Sequence, residues 1–334
     1  MENKISVVVC TYNQEDTIAR TLDSILMQQC HVPYEIIIGE DCSTDNTLTI
    51  CQQYAEQNSD IIRVIANKPN KGVVLNYFDC LLAADGKYIA DCAGDDFWTD
   101  TQKLEKEVTL MEQHPEVTMV LTRWNWYDEH THRVNAGPPP PYSQPIVNGQ
   151  DMLEDIITQT DMSVFHLCTS LYRTEVFKKA YWEDTSLFRC KDFSTEDIQV
   201  AFIMALNGYI AYLPDFTLSY STGKPSASQL ADEAKQFHFV RSILNVCRYL
   251  TEKHHLHSQR LDNYFSRRLF SLAMHAFRAH RKELYGEVVK LEQAWNIHRT
   301  LPTQLVMTLM RHEILWMAGL SARKLFVFSK RLLA

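Results

Sequence analysis

Over the first 130 residues short apolar runs alternate with amphipathic stretches, the pattern of a mostly parallel sheet wrapped by helices. The runs that read as strands are ISVVVCTY (5–12), YEIIIGE (34–40), IIRVIA (61–66), KYIADCA (87–93) and VTMVLTRW (117–124). Between them, DTIARTLDSILMQQ (16–29) places Ile18, Leu22, Ile25 and Leu26 at helical spacing, and KLEKEVTLMEQH (103–114) reads as a second helix. In sheets of this kind ligands sit beyond the carboxyl ends of the strands, where TYN (11–13), EDCSTDNT (40–47) and GDDFW (94–98) fall.

Four consecutive prolines in AGPPPPYSQP (136–145) deny backbone donors to any sheet and predict a surface connection near the site. Beyond it a short helix is predicted at GQDMLEDIIT (149–158), a strand at HLCTSLYR (166–173), a helix at STEDIQVAFIMALNG (194–208) and a strand at YIAYLP (209–214). From about Ser228 the pattern turns helical. Leu230, Ala234, Phe237, Leu244 and Cys247 share one face, and Leu261, Phe265, Leu272 and Ala276 another. The expected division is therefore a nucleotide-binding domain over 1–225 and a helical region over 226–334.

Charge sharpens that division. The 334 residues carry a net −8, yet from Ser226 onward 17 Lys and Arg face 8 Asp and Glu, a net of +9, which leaves −17 for the first part. An acidic front part argues against nucleic acid as the main ligand, while the basic tail suits an anionic membrane surface or a protein contact. The last segment mixes large apolar residues with Arg311, Arg323, Lys324, Lys330 and Arg331, which interrupt it too often for a spanning helix. An interfacial helix, and a helix packed on the domain or on a second copy in a homo-oligomer, both fit. No signal segment precedes ISVVVCTYN, and nine scattered cysteines without a CxxC pair point to reduced thiols, so a cytoplasmic protein is expected, peripheral on the inner face of a membrane if the tail binds lipid.

Adjacent carboxylates repel and are costly to desolvate, so Asp95 and Asp96 after the fourth strand call for a cation or for a helix amino end to cap. Taken singly, Thr11 and Asn13 read as capping residues, and Glu40 and Asp41 mark a strand end with Ser43, Thr44 and Asp45 available to cap. SVVVCTYNQEDTIARTLDSILMQQ, YEIIIGEDCSTDNT and GDDFWTDTQKLEKEV, in that order and spacing, say more. Together they resemble the family 2 glycosyltransferases, inverting enzymes of the GT-A fold, over roughly residues 4–225.

That resemblance implies a donor nucleotide held by Cys10, Thr11, Tyr12, Asp41 and Asp95, with Asp41 on the pyrimidine base. It implies Mn²⁺ or Mg²⁺ at Asp96 and Asp95. Many members read Asp-x-Asp-Asp, and Ala93 stands where the first of those acids would be. The catalytic base implied is Asp197, with Glu196 in reserve. His166 and Trp98 fall on the acceptor side. The expected activity is transfer of a sugar from a nucleotide sugar, a UDP-sugar first, to a hydroxyl of a glycan or lipid-linked saccharide. The alternative is a non-catalytic nucleotide-sugar or glycan-binding module on the same scaffold. A dinucleotide oxidoreductase is disfavoured because VCTYNQED lacks a Gly-rich phosphate turn.

Overall fold

The computed structural model describes residues 2–159, 164–223 and 231–332, the side chains of 2 and 323–332 excepted. Ser228 and Leu230 lie outside the described residues, as do the side chains of Arg323, Lys324, Lys330 and Arg331. The chain divides into two compact units, Met1–Lys224 and Pro225–Ala334.

The first unit runs β1 (Glu2–Thr11), α1 (Ile18–Leu26), β2 (Tyr34–Glu40), α2 (Thr47–Gln57), β3 (Ile62–Ala66), α3 (Val73–Ala83), β4 (Gly86–Ala93), β5 (Phe97–Trp98) and α4 (Lys103–Gln113). It continues through β6 (Val117–Asp128), β7 (Val134–Ala136), β8 (Ile146–Asn148), α5 (Leu153–Thr158), β9 (Ser170–Arg173), α6 (Thr174–Glu183), α7 (Thr185–Arg189), α8 (Asp197–Asn207) and β10 (Tyr209–Thr222). Pro138–Pro141 lie outside every strand, as their missing donors require.

Ten strands form one sheet in the order β3-β2-β1-β4-β9-β6-β10-β5, with β7 on β6 and β8 on β10. β3, β2, β1 and β4 are mutually parallel, and β9 inserts antiparallel between β4 and β6. Strands covered on both faces must be apolar throughout, which is why Val7, Val8, Val9, Ile36, Ile37 and Ile38 run without alternation and are all buried. The register sets Cys10 beside Ala93 and Thr11 beside Glu40, so three strands end together and deliver their following loops to one place.

Two expectations changed in detail. Only Ser170–Arg173 of the HLCTSLYR run is a strand, because Leu167–Thr169 coil into a 3₁₀ turn. The last strand runs on to Thr222 rather than stopping at Pro214, because register shifts between Tyr212 and Phe216 accommodate a residue that cannot donate to the ladder.

The second unit consists of α9 (Glu233–Lys253), α10 (Gln259–Ala279), α11 (Lys282–Trp295), α12 (Leu301–Arg311) and α13 (Glu313–Leu332). Asp232, Ser258 and Thr300 each accept a backbone N–H of the helix they open. Ala234, Phe237, Leu244 and Cys247 of α9 are buried, as are Leu261, Phe265, Leu272 and Ala276 of α10. No helix among the described residues is long and apolar enough to cross a membrane.

Candidate active site

The loops after β1 and β2 are laced together. The Asn13 side chain accepts the Thr44 N–H at 2.8 Å, Ser43 Oγ accepts the Asn13 N–H at 3.0 Å, and Glu15 accepts the Asn46 N–H at 3.0 Å. Asn13 and Cys42 both take positive φ at these bends. Tyr12 is left about half exposed at the strand end, while Thr11 is buried and its hydroxyl donates to Gln14 Oε1. The Cys10 thiol lies against Cys80, whose hydrogen bond, more than burial, holds it protonated well above the usual thiol range.

Asp41 is buried at the end of β2. Its Oδ1 accepts the Asn67 amide at 2.9 Å and the Lys71 N–H at 2.8 Å, and its Oδ2 accepts the Gly72 N–H at 2.8 Å. A carboxylate has about four acceptor positions, so this arrangement fixes its orientation and leaves capacity for one more donor. Gly72, at φ 82°, supplies a backbone conformation a side chain would strain.

The acidic turn after β4 is gripped from both sides. The Gly94 N–H donates to the Cys10 carbonyl at 3.0 Å, and Thr17 Oγ donates to the Gly94 carbonyl at 2.9 Å. A Cβ at Gly94 would stand 2.9 Å from the Thr11 Cβ of the neighbouring strand, so a side chain here would push the turn away from β1. Arg20 Nη2 donates to the Asp95 carbonyl at 3.1 Å and to Glu129 at 2.6 Å, with its guanidinium 4.2 Å over the Phe97 ring.

Asp96 is 1 % exposed; its Oδ1 accepts the Ser221 N–H at 2.9 Å, and its buried Oδ2 meets no donor. Burial, and then the neighbouring Asp95, push its carboxyl well above the ordinary range. Asp96 thus bonds to β10 rather than to an α4 amide. Asp100 lies nearest the start of α4, accepting the Gln102 N–H at 2.9 Å and pairing with Lys106 at 2.6 Å. A hard divalent cation fits this donor set: two adjacent carboxylates, one with a buried oxygen that meets no hydrogen-bond donor, and no soft ligand required. Asp95, less buried than Asp96, and Asp96 are the residues able to hold it.

Asp197 opens α8, in its first turn, with Glu196 as the residue before it. Neither is fully exposed, and burial raises both, the Asp197 charge adding to the rise at Glu196. Tyr220 reports the company these groups keep. Its hydroxyl is pushed up to about 12, by burial first and then by Asp96, Asp95 and Asp197 in addition to Cys168. Acids from the β4 turn and from α8 therefore bear on one side chain of β10.

His166 packs on Tyr220 at 4.8 Å and on Trp124 at 5.2 Å, in a small cavity closed by Pro138–Pro141. Burial drives its imidazole down to about 4, so the ring is neutral, and its Nδ1 finds no partner. Trp98 is placed in the core rather than on an acceptor surface. It is 2 % exposed, its indole N–H donates to the Cys168 carbonyl at 3.3 Å, and Lys103 Nζ lies 4.7 Å over its ring.

Sequence reading did not single out Arg20, Ser221, Tyr220 or the Asn67–Gly72 loop, because each reaches the site across long sequence separations. Asp91 had a signal, a charge amid the apolar strand KYIADCA. It is 3 % exposed, neither oxygen has a partner within hydrogen-bond distance, and the Tyr77 and Tyr172 hydroxyls that approach it bond to each other at 3.0 Å.

Comparison with known proteins accords with this geometry. Residues 6–180 match the family profile described as Glycosyl transferase family 2. The chain belongs to that family and has a GT-A-like fold. It is 41% identical over 126 residues to the putative glycosyltransferase EpsE of Bacillus subtilis, an alignment covering 38% of this chain and 45% of that one. Other curated relatives are matched over as little as 33% of their length. Its fold is similar to a crystal structure of S. aureus TarS 1-349 in complex with UDP-GlcNAc, with a TM-score of 0.57, 19% identity, and coverage of 92% and 91% of the two chains. It is also similar to the mannosyltransferase PcManGT of Pyrobaculum calidifontis in complex with GDP-Man and Mn²⁺, with a TM-score of 0.51, 16% identity, and coverage of 96% and 87%.

Proposed function

We propose that this glycosyltransferase moves a sugar from a nucleoside diphosphate, a UDP-sugar first among them, to a hydroxyl of a glycan or lipid-linked saccharide, with inversion. The observation that carries the reading is the acidic turn at the end of β4, where Asp96, 1 % exposed and held by the Ser221 N–H at 2.9 Å, keeps a buried Oδ2 without a donor beside Asp95. Similar structures that hold UDP-GlcNAc, or GDP-Man and Mn²⁺, support a nucleotide sugar accompanied by a cation.

In this reading Asp41 and the exposed ring of Tyr12 receive the base of the nucleotide, beside Cys10 and Thr11. A divalent cation at Asp95 and Asp96, Mn²⁺ or Mg²⁺, supplies the positive charge that makes a diphosphate an adequate leaving group. Asp197 takes the proton of the acceptor hydroxyl as that oxygen bonds to the anomeric carbon. The bond from that carbon to the diphosphate breaks on the opposite face, which inverts the centre. Burial of Asp197 suits the task, since a base raised toward neutral pH accepts a proton more readily than an ordinary aspartate. Neutral His166, on Tyr220, lies where it can border the acceptor.

Leu301, Leu305, Ile314 and Met317 are exposed on α12 and α13, in a segment of net +9. Both features support contact with an anionic membrane surface, where a lipid-linked acceptor resides. Co-sedimentation with anionic but not zwitterionic vesicles is the expected result; a stable dimer that ignores both would remove this support.

The function is tested by a thermal-shift panel of nucleotide sugars with and without Mn²⁺, because a ligand of the folded state raises Tm. One nucleotide sugar should raise Tm only with the cation, and Asp95→Ala should remove the rise. A panel without any shift, or a shift intact in Asp95→Ala, contradicts the assignment.

A further inference from the structure

At the start of α4 three chemically different donors meet. Cys30 and His31 lie in the connection from α1 to β2, and Glu105 in the first turn of α4. Cys30 Sγ, a His31 ring nitrogen and a Glu105 carboxylate oxygen all lie within 4.8 Å of one another. His31 Nδ1 is 2.7 Å from Glu105 Oε2, which also accepts the His31 backbone N–H at 2.9 Å. The other ring nitrogen, Nε2, lies 3.4 Å from Glu112 Oε2, about two turns further along α4.

We propose that Cys30, His31 and Glu105 form a structural site for a borderline-soft divalent cation, zinc above all, separate from the site at Asp95 and Asp96.

Three arguments carry it. First, an ion pair between His31 and two glutamates needs no thiol, yet Cys30 completes a sulfur, nitrogen and oxygen set within reach of one ion. Such a set selects zinc over the hard cations that the paired aspartates suit. Second, Glu112 stands where a ligating histidine is oriented from behind, by a carboxylate on the nitrogen not facing the metal. Third, the donors are held by backbone already joined. The Gln29 N–H donates to the Thr101 carbonyl at 2.8 Å, and Gln28 bonds both the Asp100 carbonyl at 2.7 Å and the Leu104 N–H at 3.1 Å. A cation there would staple the α1–β2 connection to the start of α4, the helix that follows the acidic turn. Three protein ligands leave the fourth tetrahedral position for water, as the partly exposed setting of His31 and Glu105 allows.

The experiment uses the full chain, stripped with chelator and titrated with Co²⁺. Wild type should bind one cobalt per chain with a thiolate-to-cobalt charge-transfer band, displaced by equimolar Zn²⁺ and not by Mn²⁺. Cys30→Ala and His31→Ala should each lose the band. Glu112→Gln should keep it with affinity lowered about tenfold. Zn²⁺ should raise Tm in wild type and not in Cys30→Ala. If Cys30→Ala folds poorly, His31→Ala carries the test, because its side chain is half exposed. Absence of the band in wild type, or its survival in both alanine variants, overturns the proposal, since eight further cysteines could then account for any binding.

Discussion

Ser221 donates its backbone N–H to Asp96 Oδ1 at 2.9 Å, and its hydroxyl to the Asp95 carbonyl at 2.6 Å. The turn bearing both acids is thereby pinned to the end of β10, and one carboxylate is drawn into the protein. An amide at position 96 would still accept from Ser221 while removing a buried charge next to another.

Asp96→Asn should therefore stabilise the metal-free protein while damaging the enzyme. A carboxyl raised in the folded state costs stability as pH climbs from its unfolded value toward its folded one, so the gain should be absent near pH 3 and grow as pH rises above the ordinary carboxylate range. A gain on the order of 1 kcal/mol would move Tm by roughly 2–4 °C in a domain of this size. Scanning calorimetry should show higher Tm without Mn²⁺ and no response to it; a fall in metal-free Tm at pH 8 would contradict the account.

Asp197→Asn should lower kcat by roughly a hundredfold or more and leave the nucleotide-induced thermal shift intact, since a base acts in the chemical step. The sign in pH is fixed. Burial raises the Asp197 carboxyl, so kcat/KM of wild type should climb with pH through a value above the ordinary aspartate range, and the variant should lose that limb. A variant retaining both rate and limb would return the role to Glu196.

What the sequence made legible was periodic or contiguous. Unbroken apolar runs such as IIIGE and VVVC marked strands covered on both faces, and the acids that follow them marked where ligands gather. Asp41, Asp95, Asp96 and Asp197 could each be named because a strand end or helix start announces itself locally. Arg20 could not, since its bonds to Asp95, Glu129 and Ser221 span separations of 75, 109 and 201 residues. Nor could the antiparallel insertion of β9, which no run of side chains encodes.

Asp41 binds its loop through charge as well as geometry. Asp41→Asn would set an amide among the Asn67, Lys71 and Gly72 donors, removing a charged acceptor worth roughly 1.5–3 kcal/mol of hydrogen bonding. Residues 67–72 should then exchange backbone hydrogens faster, and donor KM should rise more than kcat falls. Unchanged protection in that loop would show that Asp41 does not hold it.

Asp91 sits between Val8 and the antiparallel strand β9, without a hydrogen-bond partner, and burial raises it to about 8 despite the nearby tyrosines. The folded protein thus holds a proton that the unfolded chain releases near pH 4, so this group lowers stability progressively between about pH 4 and 8. Asp91→Asn should flatten that slope, staying close to wild type at pH 4 and exceeding it by roughly 5 kcal/mol at pH 8. Urea unfolding at the two pH values measures the difference, and parallel wild-type and variant curves would show the carboxyl to be solvated.

Lys103 and Glu107 form an ion pair at 2.7 Å with both side chains fully buried, under the Trp98 ring. Burial lifts the Glu107 carboxyl to about 7 even with Lys103 opposing the rise, so the pair's net contribution is small beside the cost of dividing it. Lys103→Met leaves Glu107 buried without its cation and should cost roughly 3–5 kcal/mol at pH 8. The cost should shrink toward pH 5, where the orphaned carboxyl takes a proton. Adding Glu107→Leu should restore most of the stability, because a well-packed apolar pair commonly matches a buried ionic one. If the double variant is as unstable as Lys103→Met, the ammonium acts through Trp98 and the packing of α4 rather than by neutralising Glu107; if the single variant is neutral at pH 8, the pair is not desolvated as its burial requires.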